Sequence, residues 1–200
     1  MMLPPPPTKE SAMAAVSVYW DIKRFPVPDG YDPREVRPCI KRNLRKLGYS
    51  GPINITAVGV LSKVPRDILK ALFSSGISLH NGGSHGFRSL LRLVFGCYID
   101  NPPPANIMVI SRPVSKVYDM LSYLKEDGYN TMFPFDASTD DAKSISENSL
   151  LSRVCSLSLK IIRLNLPPGF VLSAGVLLAH ASTISSSISL VQNINPGQAS

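Results

Sequence analysis

Cysteine is scarce in this chain of 200 residues, and its distribution excludes two kinds of stabilising site. Cys39, Cys97 and Cys155 lie far apart and form neither a CxxC pair nor a Cys/His cluster. A disulfide framework and a structural zinc site are therefore not expected, whereas reduced intracellular thiols are. Long apolar runs are also lacking. The longest, residues 170–181, is interrupted and too short to cross a bilayer core of about 30 Å.

Acidic residues are few as well. The chain has 14 Asp and Glu against 21 Lys and Arg, a formal net charge of +7 at pH 7. Prolines occupy positions 4–7, where a secretory signal would need an apolar segment, so no signal peptide is expected. These features predict an intracellular, cytoplasmic protein without a membrane span.

Composition divides the chain into four parts. Residues 1–13 are Pro-rich and predict a disordered leader, whereas residues 14–135 alternate apolar and amphipathic segments as a folded domain does. Residues 136–149 are polar and acidic, which is typical of a linker. Residues 150–200 are rich in Ser, Leu and Ile and contain no acidic residue; extra strands, an irregular extension and a poorly ordered tail all stay open.

Strand-like and helix-like segments alternate within residues 14–135. Asp32, Pro33 and Glu35 form a helix start signal, and Pro38 should kink the following helix or delay its start. The alternation predicts an α/β fold, a three-layer sandwich with a mainly parallel sheet. The expected strands are residues 15–21, 53–61, 77–80, 105–111 and 131–135, and the expected helices are residues 32–48, 65–73, 87–99 and 116–128.

Five short motifs in this region, in the same order and spacing, resemble the NYN domain of the limkain type, as in plant relatives of meiosis regulator and mRNA stability factor 1. The motifs are residues 18–22 (VYWDI), 27–30 (VPDG), 49–52 (YSGP), 75–77 (SGI) and 100–111 (DNPPPANIMVIS). The resemblance implies a PIN-like, Rossmann-like fold with an acidic cluster that binds Mg²⁺ or Mn²⁺ and cleaves RNA. It also implies a role in RNA metabolism and regulation of gene expression, and it makes the peroxisome a possible compartment.

The acidic cluster of that family is largely missing here. Asp21 matches its first acid, but Lys23 and Arg24 stand where Glu-Asn usually follows. The family's helix acids align near Phe87 and Leu93, and its Ser-Gly-Asp-x-Asp run is residues 111–115 (SRPVS). Two-metal cleavage needs several carboxylates, so we expect a degenerate nuclease with no cofactor.

Two roles for the remaining acid stay open. Asp21 either pairs with Lys23, Arg24 or Arg112, or it survives as a metal ligand. In the second case the chain would be an active Mg²⁺- or Mn²⁺-dependent endoribonuclease in which Asp100 or Asp119 assists Asp21.

Basic residues are the stronger functional signal. Residues 14–135 contain 16 Lys and Arg against 9 Asp and Glu, which favours sequence-independent RNA binding. The candidate RNA-binding residues are Lys23, Arg24, Arg34, Arg37, Lys41, Arg45 and Arg112, four of them in one helix stripe that Arg42 and Lys46 flank. The loop amides after Asn81 could also hold a phosphate.

Other interpretations of these features stay open. The basic helix could be solvated without a partner, and the leader or the residue 150–200 extension could bind a protein. Among nearby aromatic side chains, Phe25 and Tyr31 could stack on bases, whereas Tyr19 and Trp20 are expected to pack in the core.

Overall fold

A computed structural model describes residues 6–83, 86–111 and 114–133 of the chain. It contains five strands and five α-helices in those ranges. The strands are β1 (Val16–Asp21), β2 (Ile53–Gly59), β3 (Ser78–Asn81), β4 (Asn106–Ile110) and β5 (Asn130–Met132). The helices are α1 (Lys9–Met13), α2 (Val36–Lys46), α3 (Arg66–Ser74), α4 (Gly86–Asp100) and α5 (Ser115–Glu126), with 3₁₀ turns at Pro33–Glu35 and Leu61–Lys63.

The five strands form one parallel sheet in the order β3-β2-β1-β4-β5. The chain moves outward from β1 to β3 and then returns to the other side of β1 to begin β4. The order of the strands therefore reverses between β1 and β4, which is where open α/β sheets form their sites. The predicted α/β sandwich is confirmed, and its sheet is entirely parallel in the described residues.

Helices cover both faces of the sheet. Right-handed crossovers place α2 and α3 on one face and α4 and α5 on the other. The predicted inward positions of α5, from Val117 to Leu124, are buried, and so are Val36, Ile40 and Leu44 of α2. The core between these layers includes the fully buried Trp20. No helix within the described ranges has the length and apolarity that a transmembrane span requires.

The α2 helix starts a few residues after the expected start signal, because a 3₁₀ turn comes first. The Asp32 side chain accepts a hydrogen bond from the Arg34 amide at 2.9 Å, and Pro33 begins a 3₁₀ turn rather than an α-helix. The α-helix starts at Val36, so Pro38 lies in its first turn, where a missing amide N–H interrupts no helical hydrogen bond.

The structure corrects the prediction of a disordered leader for its last five residues, which form α1. Thr8 caps this helix by accepting a hydrogen bond from the Ser11 amide. The side-chain amide of Asn106 donates to the carbonyl groups of Ser11, Ala14 and Ala15 at 2.8, 3.2 and 3.3 Å. These long-range bonds tie the segment to the start of β4, which composition alone does not reveal. The predicted linker (136–149) and extension (150–200), with residues 1–5, lie outside the described residues.

Candidate functional site

The point where the strand order reverses brings two polar residues to one edge of the sheet. Trp20 of β1 pairs with Ile110 of β4, so Asp21 and Ser111 follow at neighbouring strand ends. Both residues are buried. The Oγ atom of Ser111 has no hydrogen-bond partner among the described residues. This edge holds the first of the predicted site residues.

A tight turn after β1 fixes the position of Asp21. The buried indole of Trp20 donates to the Phe25 carbonyl at 2.7 Å, and the Phe25 amide donates to the Asp21 carbonyl at 3.0 Å. The end of β2 approaches this turn so closely that a Cβ atom at Gly59 would lie 2.9 Å from Cγ2 of Ile22. The turn therefore requires glycine at position 59 and holds Asp21 against the sheet edge.

Both carboxylate oxygens of Asp21 accept hydrogen bonds from Arg24. The Arg24 amide lies 3.2 Å from Oδ1, and the guanidinium Nη1 lies 3.1 Å from Oδ2. The Asp21 side chain is 7% exposed and the Arg24 side chain 34% exposed. The same guanidinium lies over the Phe87 ring, 5.4 Å from its centroid, in a cation–π contact. Phe87, where the family resemblance implies an acid, thus supports the cation that pairs with Asp21.

The acids named in the nuclease hypothesis do not gather into a group of three or more in the described ranges. Asp100 is the last residue of α4, about 20 Å along the helix from its start beside Arg24. Asp119 lies one turn into α5 and is half-buried. Across the described ranges, no group of three or more His, Cys, Asp and Glu side chains is placed to hold a metal ion.

In the glycine-rich loop after β3, the first two backbone amides donate hydrogen bonds to other atoms of the chain. The Gly82 amide donates to the Gly59 carbonyl at 2.8 Å, and the Gly83 amide donates to Oδ1 of Asn81 at 3.3 Å. These two amides are therefore not available for a phosphate, which corrects that part of the prediction. Residues 84–85, and Arg112 among the candidate RNA-binding residues, lie outside the described residues. Lys23 is exposed beside the turn.

Three of the four predicted stripe residues come together at one cleft, Arg34 from the 3₁₀ turn before α2 and Arg37 and Lys41 from α2. A cleft of about 390 Å³ lies between the beginning of α2 and the end of α3. Its lining contains three basic side chains, two serines and a proline. The lining residues are Arg34, Arg37, Pro38, Lys41, Ser74 and Ser75. The two serines were not among the sequence candidates, because a Ser-Ser-Gly sequence signals only the end of a helix.

Arg45, the fourth residue of the predicted stripe, is engaged elsewhere. Its Nη1 donates to the carbonyl groups of Tyr49 and Gly51 at 2.8 and 3.0 Å, which fastens the chain that leaves α2. Its position supports a structural contribution in addition to its positive charge.

Three of the four aromatic side chains named near the Asp21 edge are buried and offer no face for stacking. Trp20, Tyr19 and Phe25 are buried, and Tyr31 is half-buried against the core. Burial, helped by a hydrogen bond with Cys97, raises the pKa of the Tyr19 hydroxyl. The expected core positions of Tyr19 and Trp20 are confirmed, and base stacking by Phe25 at this edge is wrong.

Comparison with known proteins identifies the family. No significant match was found among curated proteins. The family model of the NYN domain matches residues 15–148, which is more than half of the chain. The five-stranded parallel sheet with helices on both faces agrees with the PIN-like fold of NYN domains, and RNA is the kind of partner to which such a domain points. The chain therefore belongs to the NYN domain family, whose PIN-like nuclease fold indicates a role in RNA metabolism.

Proposed function

We propose that this chain binds RNA as an NYN domain that has lost the nuclease reaction. The observation that carries the proposal is the state of Asp21, whose two carboxylate oxygens both accept hydrogen bonds from Arg24. A nuclease of this kind would use that carboxylate as a metal ligand. Here the carboxylate is paired with a cation of its own chain instead.

The residues described at this edge do not fit a catalytic divalent metal. Mg²⁺ and Mn²⁺ prefer oxygen ligands, and a two-metal site needs several carboxylates. Among the described residues, Asp21 is not joined by two further His, Cys, Asp or Glu side chains that could complete such a site. A guanidinium about 4 Å away would repel each unit of metal charge by about 1 to 4 kcal/mol at effective dielectric constants of 80 to 20. Lys23 adds a further positive charge nearby.

Positive charge supports the binding half of the proposal. The formal charge of the chain is +7, and its basic residues gather on α2 and at the turn after β1. Phosphate neutralisation by such a surface gives affinity without sequence preference and falls steeply with salt. The proposed RNA-binding residues remain Lys23, Arg24, Arg34, Arg37, Lys41, Arg45 and Arg112.

The resemblance to limkain-type domains supports two finer proposals. It assigns the chain to regulation of gene expression through RNA, and it makes the peroxisome one compartment to examine within an intracellular location. Fluorescence microscopy of the full chain with a tag at either end tests the compartment.

A cleavage assay on the full chain tests the loss of catalysis. Labelled single-stranded RNA is incubated with the protein and Mg²⁺ or Mn²⁺, and products are compared with those of Asp21→Asn and Arg24→Gln. We expect binding without metal-dependent cleavage in all three proteins. Cleavage by the wild type that Asp21→Asn abolishes would establish the active nuclease. Absence of RNA binding by the wild type at low salt would refute the binding proposal.

A further inference from the structure

The cleft between α2 and α3 contains a guanidinium nitrogen that has no acceptor among the described residues. Nε of Arg37 is buried and has no hydrogen-bond partner among the described residues. The guanidinium lies over Gly76, whose φ of +86° turns the chain away from α3; a Cβ atom there would lie 3.4 Å from Nε. A Cβ atom at this position would only touch Arg37, and the positive φ is what favours glycine at position 76.

The end of α3 does not need these cations to complete its hydrogen bonds. The carbonyl groups of Ala71, Leu72 and Phe73 accept from the amides of Ser75, Ile77 and Gly76 at 2.9–3.1 Å. The Ser74 and Ser75 hydroxyls donate to the carbonyls of Ala71 and Leu72 as well. Arg37 and Lys41 are thus not explained as caps of the helix. Arg34 has an exposed contact with Asp32 at 3.9 Å, which is too long and too solvated to neutralise it.

An exposed aromatic ring lies at the end of α3, next in sequence to the serines that line the cleft. Phe73 precedes the two lining serines and is 69% exposed, the most exposed of the large apolar side chains in the described ranges. It lies on the same helix face as Lys70 and Arg66, three and seven residues earlier, both exposed. A basic surface with an aromatic face is the arrangement that binds single-stranded nucleic acid, because every base can stack on such a ring.

We infer that single-stranded RNA binds across α2 and α3, with a backbone phosphate in the cleft on Arg37 and Lys41 and a neighbouring base stacked on Phe73. This inference deepens the proposed RNA binding and rests on it. These residues form a surface on α2 and α3, the helices that cover one face of the sheet. Asp21 lies at the sheet edge instead, level with Val58 of β2 and His80 of β3. Binding on the α2–α3 surface therefore does not depend on the lost metal site.

The test measures binding of a labelled single-stranded oligouridylate to the full chain by fluorescence anisotropy, with EDTA present. Phe73→Ala should weaken affinity by about tenfold and leave the salt dependence unchanged, because stacking carries no charge. Phe73→Tyr should restore binding. Ile99→Ala is the matched control, since Ile99 is 67% exposed on α4 and away from the cleft.

Two variants test the proposed phosphate contact. They are the double variant Arg37→Gln with Lys41→Gln, and Lys41→Gln alone. Loss of the one phosphate contact in the double variant should flatten the slope of log K against log salt by about 0.7, and Lys41→Gln alone should flatten it by less. Arg42→Gln with Lys46→Gln removes two exposed charges of α2 outside the cleft and should have a smaller effect. Melting curves of each variant verify folding.

The outcomes separate the two proposals. If the wild type does not bind RNA, the proposed function fails and this inference fails with it. If the wild type binds but the cleft and Phe73 variants match their controls, the α2–α3 surface is wrong and RNA binding stands. If Phe73→Ala weakens binding to duplex RNA as much as to the single strand, the stacking assignment is wrong, because duplex bases offer no free face.

Discussion

The pairing of Asp21 with Arg24 predicts a measurable coupling between the two side chains. Replacing Asp21 by Asn keeps an oxygen for the Arg24 amide but removes the negative charge opposite the guanidinium. Exposed ion pairs contribute about 0–1 kcal/mol, and breaking a buried pair costs about 3–5 kcal/mol. With one partner 7% and the other 34% exposed, we expect a coupling of about 1–2 kcal/mol.

A double-mutant cycle of Asp21→Asn, Arg24→Gln and the combined variant measures this value by urea unfolding. Each single variant should lower the urea midpoint by about 0.5–1 M, since small domains have slopes of about 1–3 kcal/mol per molar urea. The combined variant should lose less than the sum of the two. A coupling below about 0.5 kcal/mol would mean that Arg24 leaves the carboxylate free in solution. The reasoning that excludes a metal at Asp21 would then fail.

Three further substitutions test how the site is held. Asn106→Ala removes the donor to three carbonyl groups of the N-terminal segment and should cost about 2–4 kcal/mol in urea unfolding; limited proteolysis should then cut near α1 sooner, and an unchanged cleavage pattern would contradict the tether. Gly59→Ala places a Cβ atom 2.9 Å from Ile22 and should cost about 1–3 kcal/mol, with a stability equal to the wild type as the refuting result. Ser111→Ala removes an unpaired buried hydroxyl and should leave the free energy of unfolding unchanged or raise it by up to about 1 kcal/mol; a clear loss would reveal a partner for Ser111.

Most of the fold could be predicted from the sequence, because the patterns that specify its helices and strands are local. The spacing of Val36, Ile40 and Leu44 predicts the buried face of α2, and these residues are buried. The β2 prediction ran two residues too far, since apolar residues 60 and 61 favour a strand as much as the 3₁₀ turn they enter. The α1 helix was missed because its evidence is long-range: Asn106 is more than ninety residues from the carbonyl groups that it binds.

The candidate site could be predicted only in part, because some of its contacts join residues that are far apart in the sequence. Lys23, Arg24 and Arg112 were all expected partners of Asp21, and spacing alone did not single out Arg24, whose position depends on the ring of Phe87. Phe73 was not among the candidate site residues. Helical spacing places it off the buried side of α3, but it does not show that the two serines after it line a basic cleft.

The separation of the Asp21 edge from the α2–α3 surface explains how an NYN domain could lose RNA cleavage and still bind RNA. Catalysis requires several carboxylates at one sheet edge, so a few substitutions there remove it, and the replacement by Lys and Arg adds charge that attracts phosphate. The binding that we propose on α2 and α3 is distributed over several cations and one ring, so no single substitution should abolish it. Selection that preserves binding would therefore tolerate Lys23 and Arg24 beside Asp21, and it would retain a glycine at position 76, where a φ of +86° strains any other residue.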